Sequence, residues 1–290
     1  MILIADSGST KTEWCVIDTE HEPKSFQTIG FNPYFVTEEV IAEELDKNLL
    51  PFVNTKFIEK VFFYGSGCST PEKNQIIQSP LEDFFRNATV EVEHDLDGAA
   101  RSLCGRQKGI ACILGTGSNS CLYDGKDVVE NVSSVGYMFG DEGGGVYAGK
   151  MFISDYLRDE MPADIRKLYE EMYPYRFDKI LNAVYKEPFA NRFLASFTPF
   201  MSKYIEHPYV INLMTDSFDK FFKYQVSHYT GYKELPVNAT GSIAYYFSDI
   251  LKQVASNWGI KLGKNICIDF KTRGFSIKKI KRNKVKVLLD

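Results

Sequence analysis

Residues 2–18 read ILIADSGSTKTEWCVID, and no other stretch of the chain limits the possible folds so tightly. A short apolar run, Ile2 to Ile4, ends in Asp6. Gly8, Ser9, Thr10, Lys11 and Thr12 follow, and a second apolar run spans Trp14 to Ile17. Two strands joined by such a turn form a hairpin whose loop offers backbone N–H groups and hydroxyls to an anion, and Gly8 leaves the backbone open to close approach. Asp6 at the strand end can orient a hydrated divalent cation, because Mg²⁺ keeps several waters and takes one or two carboxylates. Taken alone, the segment also reads as an ordinary polar hairpin. Further along, IACILGTGSNSCLY (110–123) repeats the pattern, with the Gly/hydroxyl turn Gly115–Asn119 between two apolar runs. Two such turns suggest two related halves that grip one nucleotide. No GxxxxGK[ST] precedes a helix and no GxGxxG opens one, which disfavours the P-loop and dinucleotide folds.

Hydrophobic residues make up 44% of the 290 and charged residues 25%, so the chain is globular and long enough for two domains, each with its own core. The net charge of −4, with no basic stripe in the first 260 residues, argues against nucleic acid as a partner. No apolar run is long enough to span a membrane and no charged leader opens the chain, so neither a membrane nor a secretory signal is expected. The six cysteines are scattered without CxxC spacing, which predicts buried reduced thiols and a cytoplasmic protein. The four histidines form no HExxH spacing.

Strand and helix alternate through the first hundred residues: strands at 26–29, 61–64 and 90–94, helices from Thr37, from about 71 to 85 and from about 96 to 103. The later part reads mostly helical, over 146–158, 163–172, 190–205 and 208–228, with a strand at 237–240 entering a helix at 243–257. The last thirty residues hold ten Lys/Arg against two acidic residues. They read as a solvated basic tail, ahead of a nucleic-acid or membrane element or a shifted reading frame.

DSGSTKT (6–12), GTGSNS (115–120), GYMFGDEGGG (136–145) and NATGSIA (238–244) occur in that order. Together they resemble the N-acetylglucosamine kinase and BadF/BadG-type ATPase family of the actin, sugar kinase and heat-shock chaperone superfamily, over about residues 1–260. The resemblance implies an α/β, two-lobed actin-like ATPase (ribonuclease H-like) fold. Its duplicated mixed-sheet domains would span 1–108 and 109–290, the second rich in helix and ending in the atypical basic tail 261–290. In that family the tail region carries a final strand, a proline turn and a helix; DFKTRGFSIKKIKRNKVKVLLD shows neither turn nor helix. It further implies ATP-dependent phosphorylation of an amino sugar, N-acetylglucosamine to its 6-phosphate before glucosamine or N-acetylmuramic acid, with Mg²⁺, in a homodimer whose lobes close on substrate. A BadF-type activator would need closely spaced cluster cysteines, which are not visible; a nucleotide-binding pseudokinase is the third reading.

Asp95 and Asp97 in VEHDLDGAA are the two candidates for the catalytic base. Asp95 directly follows a strand and is, by the same resemblance, the family's base, which favours it, whereas the position of Asp97 suits the cap of the next helix. His94 would point to the opposite face from Asp95 if both lay on a strand. Gly8, Ser9, Thr10, Lys11, Thr12, Thr116 and Gly117 would take the phosphates, with Gly241 and Ser242 against the adenosine and Asp6 on the metal. Asn32, Ser66, Asn119, Asp141 and Glu142 would contact the sugar.

Overall fold

The computed structural model describes residues 1–18 and 23–267, the side chains of 264–267 excepted. These residues fall into two compact units, Met1–Arg106 and the residues from Gln107 onward.

The first unit opens as an antiparallel meander, β1 (Ile2–Ser7), β2 (Lys11–Ile17) and β3 (Lys24–Ile29). Then come α1 (Glu38–Asn48), β4 (Lys60–Gly65), α2 (Pro71–Phe84), β5 (Thr89–His94) and α3 (Asp95–Cys104). The sheet order is β3-β2-β1-β4-β5, with β4 parallel to β1 and β5 parallel to β4. Alternation along the strands assigns the faces. Leu3, Ala5, Trp14, Val61 and Phe63 form one apolar layer with Ile41 and Leu45 of α1 and Ile77 and Leu81 of α2. Ile4, Cys15, Ile17, Phe62 and Tyr64 form the layer on the other face. Helix α2 starts where Thr70 Oγ1 accepts the Lys73 N–H and Pro71 takes the first turn. Thr37 occupies the position before α1 but makes no side-chain cap.

The second unit repeats the plan. β6 (Gly109–Leu114), β7 (Ser118–Tyr123) and β8 (Val128–Glu130) run antiparallel, β9 (Pro236–Thr240) lies parallel to β6, and β10 (Lys261–Cys267) parallel to β9. The order β10-β9-β6-β7-β8 is the first sheet's order read from the other side, so the two sheets share one topology. Between β8 and β9 run α4 (Gly136–Phe139), α5 (Gly145–Leu157), α6 (Ala163–Met172), α7 (Phe177–Tyr185), α8 (Ala190–Ala195), α9 (Thr198–Lys203) and α10 (Pro208–Tyr224). α11 (Ser242–Tyr246) and α12 (Ser248–Asn257) separate β9 from β10. Aromatic rings fill this core: Phe152 meets Tyr169, Phe197, Phe200 and Tyr209 at centroid distances of 5.4–6.2 Å. Among the described residues no helix is long and apolar enough to cross a membrane.

The structure departs from the periodicity in several places. The helix expected over 190–205 is broken before Pro199, which has no N–H for the Ala195 carbonyl; Thr198 Oγ1 donates to it at 2.9 Å instead. The helix expected over 243–257 is interrupted at Phe247. α7 and β8 were not foreseen. Of the stretch read as a solvated tail, Lys261–Cys267 is a strand, and the remainder lies outside the described residues.

Candidate active site

The first turn is built over Gly30. Gly8 N–H donates to the Lys11 carbonyl and Gly30 N–H to the Thr10 carbonyl, both at 3.0 Å. A Cβ on Gly30 would stand 2.2 Å from the Gly8 oxygen, so only glycine lets the end of β3 pass so close to the turn. Gly8 differs: its Cβ would meet nothing nearer than the Lys11 oxygen at 3.8 Å, and its φ is not left-handed. The fold does not require glycine at that exposed position. The Thr10 N–H has no hydrogen-bond partner among the described residues. A bare backbone with an outward N–H suits a phosphate oxygen.

Side chains expected on ligands partly serve the turn itself. Thr12 is fully buried; its hydroxyl lies 2.7 Å from Ser7 Oγ and donates to the Ile29 carbonyl at 2.9 Å, which turns it away from any phosphate. The strand period puts Thr12 on the inward face, a correction to its expected role. Asn32, also buried, donates from Nδ2 to Ser9 Oγ at 2.8 Å and accepts the Tyr34 N–H on Oδ1 at 3.0 Å. Its Oδ1 would lie 2.5 Å from a Cβ on Gly67, whose φ is +84°, so this glycine is required by both contact and conformation. Lys11 Nζ sits 3.3 Å from Glu13 Oε1.

Parallel pairing brings the C-terminal ends of β1, β4 and β5 to one sheet edge, with Ser7 opposite Gly65 and Gly65 opposite His94. Ser66 N–H donates to the Ser7 carbonyl at 2.8 Å. One residue back from that edge, the register aligns Gln27, Glu13, Asp6, Tyr64 and Glu93 across the sheet. Asp6 is exposed at the centre of this row. Arg101 of α3 pairs with Glu93 and donates to the Tyr64 hydroxyl at 3.1 Å. Its guanidinium binds its proton more tightly than usual: burial opposes this, but the Tyr64 and Glu93 bonds outweigh it. Gly98 lets α3 lie against Tyr64, whose ring would stand 2.7 Å from a Cβ there. Glu13, Tyr64, Glu93 and Arg101 were missed; their only sequence signal is period-two placement in strands and the 93/101 spacing.

Asp95 is the first residue of α3, directly after β5. The cap of α3 is His94, not Asp97: His94 Nδ1 accepts the Leu96 N–H at 3.2 Å. Because the chain leaves the strand at His94, strand alternation no longer separates the two side chains, and His94 Nδ1 lies 2.8 Å from Asp95 Oδ1. The two meet rather than oppose. Asp97 sits two residues further into the first turn, its carboxyl raised above the ordinary range by burial and then by Glu93.

In the second unit the turn 115–117 faces its carbonyls inward. Gly117 O accepts Gly115 N–H at 3.0 Å, and the Gly115 and Thr116 oxygens accept the Gly145 and Val146 N–H groups of α5, each at 2.8 Å. The N–H groups of Thr116 and Gly117 have no partner among the described residues, and a Cβ on Gly115 would meet nothing within 4 Å. Asp141 braces this turn from beneath. Its Oδ1 accepts the Ser118 N–H at 3.1 Å and the Ser134 hydroxyl at 3.2 Å, and its carboxylate would lie 2.8 Å from a Cβ on Gly117. Burial raises the Asp141 carboxyl above the ordinary aspartate range, against those two bonds. Asp141 itself holds φ = 60°. Glu142 beside it is half-buried. Asn119 Oδ1 accepts the Ser120 N–H at 2.9 Å and Asn131 Nδ2 at 3.0 Å. Gly241 passes against β6, a Cβ there falling 2.3 Å from the Leu114 oxygen, and Ser242 is exposed at the start of α11.

Two sheets of one topology, each carrying a glycine turn after its first strand with outward N–H groups, define an actin-like ATPase fold of the sugar-kinase type. Among solved structures, two named putative N-acetylglucosamine kinases are similar to this chain. That of Porphyromonas gingivalis is 40% identical, with a TM-score of 0.85, covering 90% of this chain and 93% of that one. That of Chromobacterium violaceum has the same fold at 14% identity and a TM-score of 0.69, covering 91% and 95%. No family model and no curated protein matches the chain. The chain belongs to the N-acetylglucosamine kinase and BadF-type ATPase family of the actin, sugar kinase and heat-shock chaperone superfamily.

Proposed function

We propose that the protein is an ATP-dependent kinase of an amino sugar, with the 6-hydroxyl of N-acetylglucosamine as its first acceptor. The observation that carries this is the 40% identity, over nine-tenths of both chains, with the Porphyromonas gingivalis protein of that name. Gly8, Ser9, Thr10 and Lys11 are assigned to the phosphates, and so are Thr116 and Gly117. The outward N–H groups of Thr10, Thr116 and Gly117 suit an anion, and the glycines leave no Cβ in its way. Gly241 and Ser242 are assigned to the adenosine.

Asp6, exposed between Glu13 and Tyr64 in the row across the first sheet, fits an ion that keeps most of its water, and it would hold Mg²⁺ through such a water. Bound there, the ion would offset the charge of the phosphates. Asp95 accepts the proton of the sugar hydroxyl as its oxygen bonds to the γ-phosphorus and the bond to ADP breaks. Phosphoryl transfer is loose, so Asp95 acts chiefly by aligning that hydroxyl and takes the proton late. Ser66, Asn119, Asp141 and Glu142 are assigned to the sugar, and Asn32 to the wall that fixes Ser9.

The test is ADP release with ATP and Mg²⁺ over N-acetylglucosamine, glucosamine and N-acetylmuramic acid. Release dependent on N-acetylglucosamine is expected. Asp95→Asn should lower kcat by roughly 10²–10⁴-fold, the range for a lost general base, while a thermal shift with ATP persists. Sugar-independent or absent release with every acceptor overturns the reading.

A further inference from the structure

Two groups compete for one nitrogen where β5 runs into α3. His94 Nδ1 accepts the Leu96 N–H at 3.2 Å and also lies 2.8 Å from Asp95 Oδ1. A neutral ring whose Nδ1 lone pair caps α3 has no proton to give Asp95 at that atom. Asp95 Oδ1 is enclosed and has no other hydrogen-bond donor among the described residues. Two lone pairs at 2.8 Å repel, and a buried carboxylate oxygen without a donor is costly. A proton on Nδ1 relieves both: the imidazolium donates to Asp95 and gives up the Leu96 N–H. The cap and the carboxylate therefore exchange the same atom, and the proton decides which has it.

We propose that His94 is a positioning residue for Asp95, its imidazolium Nδ1–H holding Oδ1 so that Oδ2 meets the acceptor hydroxyl. Loss of that proton returns His94 to the helix cap and releases the carboxylate. This rests on Asp95 being the base of the proposed kinase. The charges acting on the ring come from α3, Asp95 and Asp97. Around them stand Glu93 of β5 and Arg101 of α3, which act on Asp97, the Tyr64 phenol of β4, and the Cys68 thiol, which feels Asp95. The residue opposite His94 on β4 is the uncharged Gly65. Burial alone would lower the affinity of His94 for its proton, but the Asp95 bond and the two carboxylates outweigh it, so the imidazolium persists above the ordinary histidine range. A raised value means that the pairing is intact below the ordinary histidine range and is lost as the pH climbs through the raised value.

Two measurements on the full-length protein test this. By ¹⁵N NMR of labelled histidine, His94 should titrate above the ordinary range, and Asp95→Asn should lower its proton affinity by about tenfold or more. In steady-state assays kcat/KM should fall on the alkaline side with the His94 midpoint. His94→Asn, whose amide can donate or cap but cannot titrate, should lose that alkaline fall. A loss of fold alone would scale the rate without changing the shape of the profile. Identical His94 titration in wild type and Asp95→Asn overturns the proposal, as does a His94→Asn profile that superimposes on wild type. If no sugar drives turnover, the kinase reading fails while NMR still decides the pairing. If turnover is present, Asp95→Asn is dead and the profile does not move, only the role of His94 falls.

Discussion

Gly8 and Gly30 touch the same turn for opposite reasons. At Gly30 a Cβ would overlap the Gly8 oxygen at 2.2 Å, so the protein's own packing demands glycine. At Gly8 the nearest protein atom would be 3.8 Å away, so the fold tolerates a methyl and only a ligand would object. Gly8→Ala should leave stability unchanged or raise it by about 0.5 kcal/mol, because an allowed Gly→Ala restricts the unfolded chain. It should also raise the KM for ATP several-fold. Gly30→Ala should instead lower stability by about 1–3 kcal/mol, as overpacking does. Urea unfolding together with ATP titration separates the two. A Gly8→Ala protein with unaltered ATP affinity would remove the first turn from the nucleotide site.

At the scale of elements, helix α5 is where propensity and packing disagree. Glycine within an exposed helix is about 1 kcal/mol worse than alanine, so propensity predicts that Gly149→Ala stabilises. The packing predicts the reverse, since a Cβ on Gly149 would stand 1.9 Å from the Leu194 carbonyl oxygen of α8. Backbone cannot give way as a flexible side chain can. A loss of about 1–3 kcal/mol is expected in urea, and a gain would mean that α5 and α8 slide apart without cost. A buried polar link ties this unit's sheet to the chain beyond α10. Ser120 Oγ donates to Gln225 Oε1 at 2.9 Å and lies 2.9 Å from the Tyr229 hydroxyl, and that hydroxyl accepts the Val132 N–H at 3.0 Å. Nothing in the spacing of residues 120, 225 and 229 announces that link, because it joins positions a hundred residues apart through the fold alone.

For the molecule as a whole, four of the described cysteines, Cys15, Cys68, Cys112 and Cys121, are kept out of reach. Burial pushes the Cys15 thiol up to about 11, and burial with Asp95 pushes Cys68 up to about 12. Cys112 and Cys121 are fully buried. With Cys104 and Cys267 replaced by serine, native protein near neutral pH should show no reactive thiol to an aromatic disulfide, and all four should appear after denaturation. Prompt labelling of native protein would mean that a sheet opens locally. Much of the architecture was legible because it depends on local order. The runs 2–4 and 14–17 are continuously apolar, as strands covered on both faces are, glycine turns interrupt the strands, and Pro71 marks a helix start. The family motifs added the rest of the candidate site as a set of positions. What those positions do to one another was not written locally. Thr12 turns inward because β1 and β2 pair in a register that puts Ser7 opposite it. His94 meets Asp95 because the chain changes from extended to helical between them, a change of direction that strand alternation cannot register. The row from Gln27 to Glu93 exists only because antiparallel and parallel pairings together bring five strands into register. Periodicity follows from the backbone geometry of a single element and can be read along the chain. Register, close backbone approach and the sharing of a proton depend on distances between elements, which only the folded structure sets.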